Sequence, residues 1–232
     1  MDGRRKNRSG NTLKHTYDAL ASVYDALVDQ SIIDTTISLI QQHAACGRVL
    51  EVGCGTAGVS RRLARSGYTV DAFDSNETML EAAAYHVGEE GVRVTLFHHD
   101  ATQAYAGGYD VVVLAVDVVN HFTEIADVKA VLDHASNALN PRGILVFDAL
   151  RIDYIRQLVG HEETINVEGV VWRWSVAPFG RDGVRHRIEA HGQVFEHRQR
   201  AFVLEDLMTL LSPLRLIARH DTASRCHVVF QK

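Results

Sequence analysis

Five short apolar runs alternate with segments of helical period over roughly the first two thirds of the chain, and this alternation restricts the fold more than any other feature. The runs are Arg48–Val52, Thr69–Asp74, Arg93–Phe97, Asp110–Ala115 and Gly143–Asp148. Each is of strand length and rich in β-branched residues, whereas the stretches near Ala57–Ser66, Glu77–Val87 and Asp127–Leu139 carry apolar residues at helical spacing. Strands separated by helices are the signature of βαβ units, and so of a parallel sheet covered on both faces. Asn76 is placed to cap the second helix, and Asn140-Pro141-Arg142-Gly143 to end the third, because proline cannot continue a helix.

After Asp148 the pattern changes. Thr164–Val176, with Trp172 and Trp174 in alternation, and Val184–His197 are extended, and the turn residues of Pro178–Gly183 lie between them, which predicts a β-hairpin. A helix at Leu204–Leu211 and two strands, Leu214–His220 and Cys226–Gln231, complete the chain. The expected fold is therefore α/β: a Rossmann-like, seven-stranded, mostly parallel sheet with helices on both faces and an inserted antiparallel hairpin as a cover. Its expected divisions are a flexible basic tail over 1–12 and a single domain over 13–232. Within that domain, 13–150 would be the core, 151–200 the cover, and 201–232 the final helix and strand pair.

Composition narrows the function. The formal charge is 24 − 29 = −5, so the chain lacks the overall basic field that non-specific nucleic-acid binding needs, and nucleic acid is a disfavoured partner. Cys46, Cys54 and Cys226 are odd in number and show no zinc-ligand spacing, which suits reduced thiols in the cytoplasm. The apolar runs fall far short of the ~20 residues that span a bilayer, so no membrane segment is expected. Met1–Gly10 carries Arg4, Arg5, Lys6 and Arg8 without the apolar stretch of a secretory signal. His98, His99, His186, His191 and His197 show no convincing ligand spacing, and no metal is expected. Nothing in the sequence speaks to the oligomeric state.

The most informative stretch is Val49-Leu50-Glu51-Val52-Gly53-Cys54-Gly55-Thr56-Ala57-Gly58, a strand that runs into a glycine-rich turn and then a helix. Such a turn brings backbone N–H groups and a helix N-terminus close to a ligand. Gly53, Gly55 and Gly58 satisfy GxGxxG, and Asp74 lies 21 residues past Gly53, so a dinucleotide site fits the bare pattern. Glu51 argues against it. A pyrophosphate at this turn would be repelled by the adjacent carboxylate, whereas a cationic ligand would be attracted.

Glu51-Val52-Gly53-Cys54-Gly55-Thr56, Phe73-Asp74 with Met79-Leu80, and His99-Asp100-Ala101 together resemble the successive cofactor motifs of class I S-adenosylmethionine-dependent methyltransferases, over about residues 17–150. The resemblance implies S-adenosyl-L-methionine as cofactor. By it, Gly53 and Gly55, with Cys54 between them, admit the methionine moiety. Asp74, next to Ser75, takes the ribose hydroxyls and Met79 packs on the adenine. Asp100 and the Ala101 N–H read the adenine edge, and the Ala115 carbonyl holds the amino group. Ala57 departs from the family's usual glycine, and a negative φ is expected there.

Asp117-Val118-Val119-Asn120-His121-Phe122 resembles the equivalent segment of small-molecule members, amino-sugar N-methyltransferases among them. His121 is accordingly the candidate base or substrate-orienting group, since imidazole takes up a proton near neutral pH. Tyr17 and Tyr24, in the helical stretch Thr16–Val28, resemble the helix that closes over the cofactor, Tyr24 being the candidate lid residue at the active site. Each of these residues also admits a plainer role: Met79 as core, His121 as a cap, and the tyrosines as packing. The sequence supports transfer to nitrogen or oxygen of a small-molecule acceptor. Methylation of RNA or protein, or cofactor binding without catalysis, stays open beside it.

Overall fold

The computed structural model describes residues 24–167, 169–190 and 192–232. Tyr17, the basic tail, most of the Thr16–Val28 helix and His191 lie outside the described residues. In chain order the first elements are α1 (Tyr24–Leu27), α2 (Gln30–His43), β1 (Arg48–Val52), α3 (Gly58–Arg65), β2 (Thr69–Asp74), α4 (Glu77–Glu89), β3 (Val94–His98) and β4 (Tyr109–Leu114). A 3₁₀ turn (Val118–His121), α5 (Ile125–Ala138), β5 (Leu139–Leu150) and α6 (Ile152–Gln157) follow. Next come β6 (Glu162–Val167), β7 (Val170–Phe179), β8 (Gly183–Ala190) and β9 (Gln193–Arg200). The last elements are α7 (Leu204–Leu210), β10 (Arg215–Asp221) and β11 (Arg225–Gln231).

The seven-stranded sheet has the order β10-β11-β5-β4-β1-β2-β3. β1 to β5 pair in parallel, and β11 runs antiparallel to both β5 and β10. Period-two alternation sends Leu50, Val52, Val112, Leu114, Leu145 and Phe147 to one face, against Val131, Leu132 and Leu207. Val49, Val111, Val113, Ile144 and Val146 go to the other, against Ile33, Leu39, Ile40 and Leu63. Burial on both faces is why these strands read as nearly continuous apolar runs. Successive strands step outward from β1 through β2 to β3, then return to its other side at β4. The order therefore reverses between β1 and β4, and a ligand crevice is expected at the carboxyl ends of those two strands.

Two parts differ from the expectation. Residues 30–43, assigned to no element above, form α2. Its signals are present: the Asp29 carboxylate accepts the Ser31 N–H at 2.9 Å as an N-cap, and Ile32, Ile33, Thr36, Leu39 and Ile40 form a buried stripe. The cover is a four-stranded antiparallel sheet, β6-β7-β8-β9, instead of a two-stranded hairpin. Each extended segment splits at a glycine in the left-handed region, Gly169 (φ 84°) and Gly192 (φ 73°), so both turns were marked in the sequence. Near the start of β5, Arg142 (φ 67°) takes the left-handed conformation. Gly143 is needed for space, since a Cβ there would lie 3.0 Å from the Asn140 carbonyl oxygen.

Candidate active site

The turn after β1 is held in three left-handed steps. Gly53 has φ 69° and Gly55 φ 52°, conformations natural to glycine. A Cβ on Gly53 would approach Val118 Cγ2 to 2.9 Å, whereas one on Gly55 would meet Tyr24 at an ordinary 3.6 Å. Ala57 also lies at positive φ, 62°, which corrects the expectation of a negative value. The chain must reverse there: the Ala57 N–H donates to the Cys54 carbonyl at 2.8 Å, and the Ala57 carbonyl accepts the Arg61 N–H at 2.9 Å to begin α3. The cost of about 1 kcal/mol for a left-handed alanine is offset in part by a methyl group fully removed from water.

Asp74, at the end of β2, closes the turn from the side. Its carboxylate accepts the Gly55 N–H at 2.8 Å and the Asn76 N–H at 2.9 Å. Burial raises its pKa, and these backbone donors oppose the rise. Beneath the turn, Glu51 is buried and accepts the Ser60 N–H at 2.9 Å and the Ser60 hydroxyl, capping the first turn of α3 from below. Burial pushes its pKa up to about 7, although the Ser60 hydrogen bonds pull the other way.

Glu51, Gly53, Cys54, Tyr24, Asp25 and Ala115 line one cleft at the switch point, so six sequence-derived or adjacent positions converge there. α1 is pinned over it: Asp25 accepts the Thr56 hydroxyl at 2.5 Å and Arg61 Nη2 at 2.7 Å. The sequence reading missed this clamp, because nothing local links Asp25 to residues about thirty positions away. Burial and the nearby carboxylates of Asp117, Asp74 and Asp25 drive the Tyr24 phenol well above its ordinary pKa, so it is a neutral hydroxyl.

Directly after β4, Val116 (φ 61°) and Asp117 (φ 67°) form two successive left-handed residues, neither of them glycine. For valine this conformation is strained, and strain of this kind clusters at functional sites. The 3₁₀ turn follows, with Asn120 fully buried: its Nδ2 donates to the Arg200 carbonyl at 2.8 Å, and its Oδ1 accepts the Leu150 N–H at 2.9 Å. Asn120 thereby fixes the neighbouring His121 between β5 and the cover.

The inner face of the cover meets this segment with polar groups. His186 and His197, cross-strand partners on β8 and β9, stack with ring centroids 4.5 Å apart, and His121 lies 5.8 Å from His197. Trp174 Nε1–H donates to His186 Nδ1 at 3.0 Å, so the His186 proton sits on Nε2, which donates to Gln199 Oε1 at 3.0 Å. Burial lowers the pKa of all three imidazoles, that of His186 to about 4, and they are uncharged at neutral pH. A pairing of residues 186 and 197 becomes visible in the sequence once the Gly192 turn is drawn.

The remaining predicted positions are spread around this centre. Met79 is buried in a cluster with Trp172, Ile188 and Ala190 of the cover. Ala101 is buried, while Asp100 is exposed and accepts the Thr102 N–H and hydroxyl at 2.9 and 2.8 Å. Ser75 is exposed, its carbonyl 3.0 Å from His98 Nε2. Among the described residues no group of His, Cys, Asp and Glu is arranged to hold a metal ion, and no helix is long and apolar enough to cross a membrane.

Comparison with known proteins gives a consistent result. The family model for a methyltransferase domain matches residues 49–143. A protein of Geobacillus sp. (strain WCH70) whose name proposes a methyltransferase is 30% identical over 173 residues, 70% of this chain and 69% of that protein. A similarly named protein of Bacillus subtilis (strain 168) is 32% identical over 135 residues, 57% of this chain and 54% of that protein, so the match spans about half its length. Among solved structures, an S-adenosylmethionine-dependent methyltransferase from Clostridium acetobutylicum ATCC 824 superposes with a TM-score of 0.78 at 21% identity, covering 95% of this chain and 98% of that one. A sugar N-methyltransferase from Streptoalloteichus sp ATCC 53650 gives a TM-score of 0.73 at 18% identity, covering 100% and 98%.

Proposed function

The chain belongs to the class I S-adenosylmethionine-dependent methyltransferases, and from this premise we propose that it acts on a nitrogen or oxygen of a small-molecule acceptor held between the switch-point crevice and the four-stranded cover. The observation that carries the proposal is the meeting of the segment after β4 with a cover whose inner face presents buried, uncharged histidines. That arrangement encloses a compact acceptor. The sugar N-methyltransferase among the structural neighbours supports an acceptor of this size, and the net charge of −5 does not favour RNA.

The residues of the cleft fit the cofactor. Gly53 and Gly55 leave the turn open where side chains would fill it, and the buried Glu51 carboxylate suits a ligand that carries an ammonium and a sulfonium. When bound, the cofactor supplies a methyl carbon made electrophilic by that sulfonium. In this reading Glu51 and the Ala115 carbonyl face the amino group and Asp74 takes the ribose hydroxyls. Met79, Asp100 and Ala101 border the adenine, Ser75 lies next to Asp74, and Cys54 lies between the two glycines at the methionine moiety. Tyr24 lies over the turn as part of a lid, to which Tyr17, outside the described residues, would belong.

His121 orients the acceptor and takes its proton. Its lowered pKa keeps the imidazole neutral, and so able to accept, at pH 7. In-line transfer to an activated methyl carbon depends mostly on alignment, so the enzyme need supply little else. The three cysteines are unpaired, which supports a cytoplasmic setting.

The test is acceptor profiling on small amines and hydroxyl compounds against total tRNA and a protein lysate, with wild type and His121→Ala. Turnover of a small acceptor is expected, and the variant should lose about 100-fold in kcat while its affinity for S-adenosylmethionine stays within about threefold. Methylation confined to tRNA or protein would overturn the acceptor class. Cofactor binding without turnover of any acceptor would point to a silent binding protein. A variant as active as wild type would remove His121 from the reaction.

A further inference from the structure

The strained pair Val116–Asp117 is held by residues that no cofactor motif contains. Asp148, at the end of β5 and fully buried, accepts the Val116 N–H with Oδ1 at 2.6 Å and the Asp117 N–H with Oδ2 at 3.2 Å. One carboxylate thus takes both backbone donors of two successive left-handed residues, which is the arrangement that selects this conformation over the extended one valine prefers. Arg225, at the start of β11 and 77 residues further on, completes the clamp. Its Nη1 lies 2.6 Å from Asp148 Oδ2 and 2.5 Å from Asp117 Oδ1, and its side chain is only 8% exposed. Gln199, from the cover, donates to the other Asp117 oxygen at 3.4 Å. The turn is therefore tied at once to β5, to the last strand and to the cover.

Its position in the chain gives this clamp a consequence. Ala115 and Val116 line the cofactor cleft, and Val118, two residues on, is the group a Cβ at Gly53 would strike. A change in the Val116–Asp117 conformation would therefore move one wall of the cleft and the floor of the glycine turn together. We propose that Asp148 and Arg225 are positioning residues: they hold the segment after β4 in its left-handed form, and so keep the cofactor cleft in its binding-competent shape. The inference rests on the reading of that cleft as the S-adenosylmethionine site. Neither residue need touch the cofactor. Without the clamp only a fraction of molecules carry the competent turn, and the apparent affinity falls by that fraction.

A glycine at position 116 separates this role from a general loss of structure, because glycine adopts φ near +60° at no steric cost. The experiment is a double-mutant cycle of Asp148→Asn and Val116→Gly on the full chain, read by calorimetric titration with S-adenosylmethionine and by thermal midpoint. Asp148→Asn should weaken binding about tenfold or more, the size that backbone strain of this kind can impose. Adding Val116→Gly should bring affinity back to within about threefold of wild type, while the thermal midpoint stays low because the buried Arg225 keeps only Asp117 of its two carboxylate partners. Since loss of that buried pair could prevent folding, the same cycle is run in an Arg225→Met background, where Asp148 and Arg225 are neutralised together and Asp117 keeps its contact with Gln199. Unchanged affinity in Asp148→Asn, or an effect of Val116→Gly that is the same with and without Asp148, overturns the proposal. A wild-type chain that fails to bind S-adenosylmethionine overturns the reading of the cleft and this inference with it.

Discussion

Glu51→Gln is expected to stabilise the ligand-free protein at pH 8 by about 1–3 kcal/mol and, at the same pH, to weaken S-adenosylmethionine binding by about tenfold or more. Both effects have one cause. The Glu51 carboxyl is buried with Ser60 as its hydrogen-bond partner, and burial raises its pKa to about 7 from an ordinary 4.5. In the unfolded chain the proton leaves near the ordinary value, and in the folded chain near 7. Between those values the unfolded state binds fewer protons, so folding stability falls as pH rises, and the deficit is complete above 7. Glutamine does not ionise and keeps an oxygen for the Ser60 N–H, so the variant escapes this loss. The advantage should vanish at about pH 3, below both values, where wild-type Glu51 is protonated in both states. A cationic cofactor favours the ionised carboxylate, so wild-type affinity should rise with pH through about 7, and the glutamine variant should lose that slope. Urea denaturation and calorimetric titration at both pH values test this. Equal stability of the two proteins at pH 8, or equal affinity, would contradict it. A site that lowers its own stability to hold a complementary charge is a familiar form of the stability–function trade-off.

Gly53→Ala should be more damaging still. The substitution places a side chain at φ 69°, where an L-residue costs about 1–2 kcal/mol, and drives its Cβ to 2.9 Å from Val118 Cγ2 and 3.2 Å from Cγ1. Relief requires Val118 to move, at an overpacking cost of about 1–3 kcal/mol, so a total loss of about 2–5 kcal/mol is expected. The methyl group also enters the cleft, and affinity for S-adenosylmethionine should fall by about 100-fold or more. Gly55→Ala is the control: its φ of 52° carries a similar backbone cost, but its nearest neighbour is Tyr24 at 3.6 Å. Adding Val118→Ala to Gly53→Ala should recover the steric part of the stability loss and leave the backbone part. Equal losses at the two glycines, or no recovery from the second change, would contradict the contact geometry.

How much could be read from the sequence follows from how local the forces are. β1 and β2 begin and end where their apolar runs do, because burial on both faces makes most of their positions apolar, with Glu51 and Asp71 as single carboxylates inside otherwise apolar runs. α2 carries a clear cap and stripe but lies before the first strand, where no alternation calls for a helix. The cover was read as two strands because its extended segments are long, and each contains one glycine whose left-handed turn divides it in two. At the site, the glycine turn and the place of Asp74 at the end of β2 were legible because residue type and spacing coincide within short stretches, whereas His121 was singled out through the resemblance of its segment. Asp148 and Arg225 were not, since an aspartate in an apolar strand and an arginine near the C-terminus gain meaning only when β5 and β11 lie side by side. Ala57 shows the reverse: its identity suggested an ordinary φ, and the path of the chain into α3 requires a left-handed one.

The central claim is that the cleft between β1 and β4 binds S-adenosylmethionine. Isothermal titration of the full chain with S-adenosylmethionine, and separately with NADH, repeated on Asp74→Ala, tests it most directly. Asp74, at the end of β2, holds the glycine turn through the Gly55 N–H. Saturable binding of S-adenosylmethionine by wild type, a loss of about 100-fold or more in the variant, and no heat from NADH are the predicted results. Binding of NADH, or S-adenosylmethionine binding that Asp74→Ala leaves intact, would contradict the account.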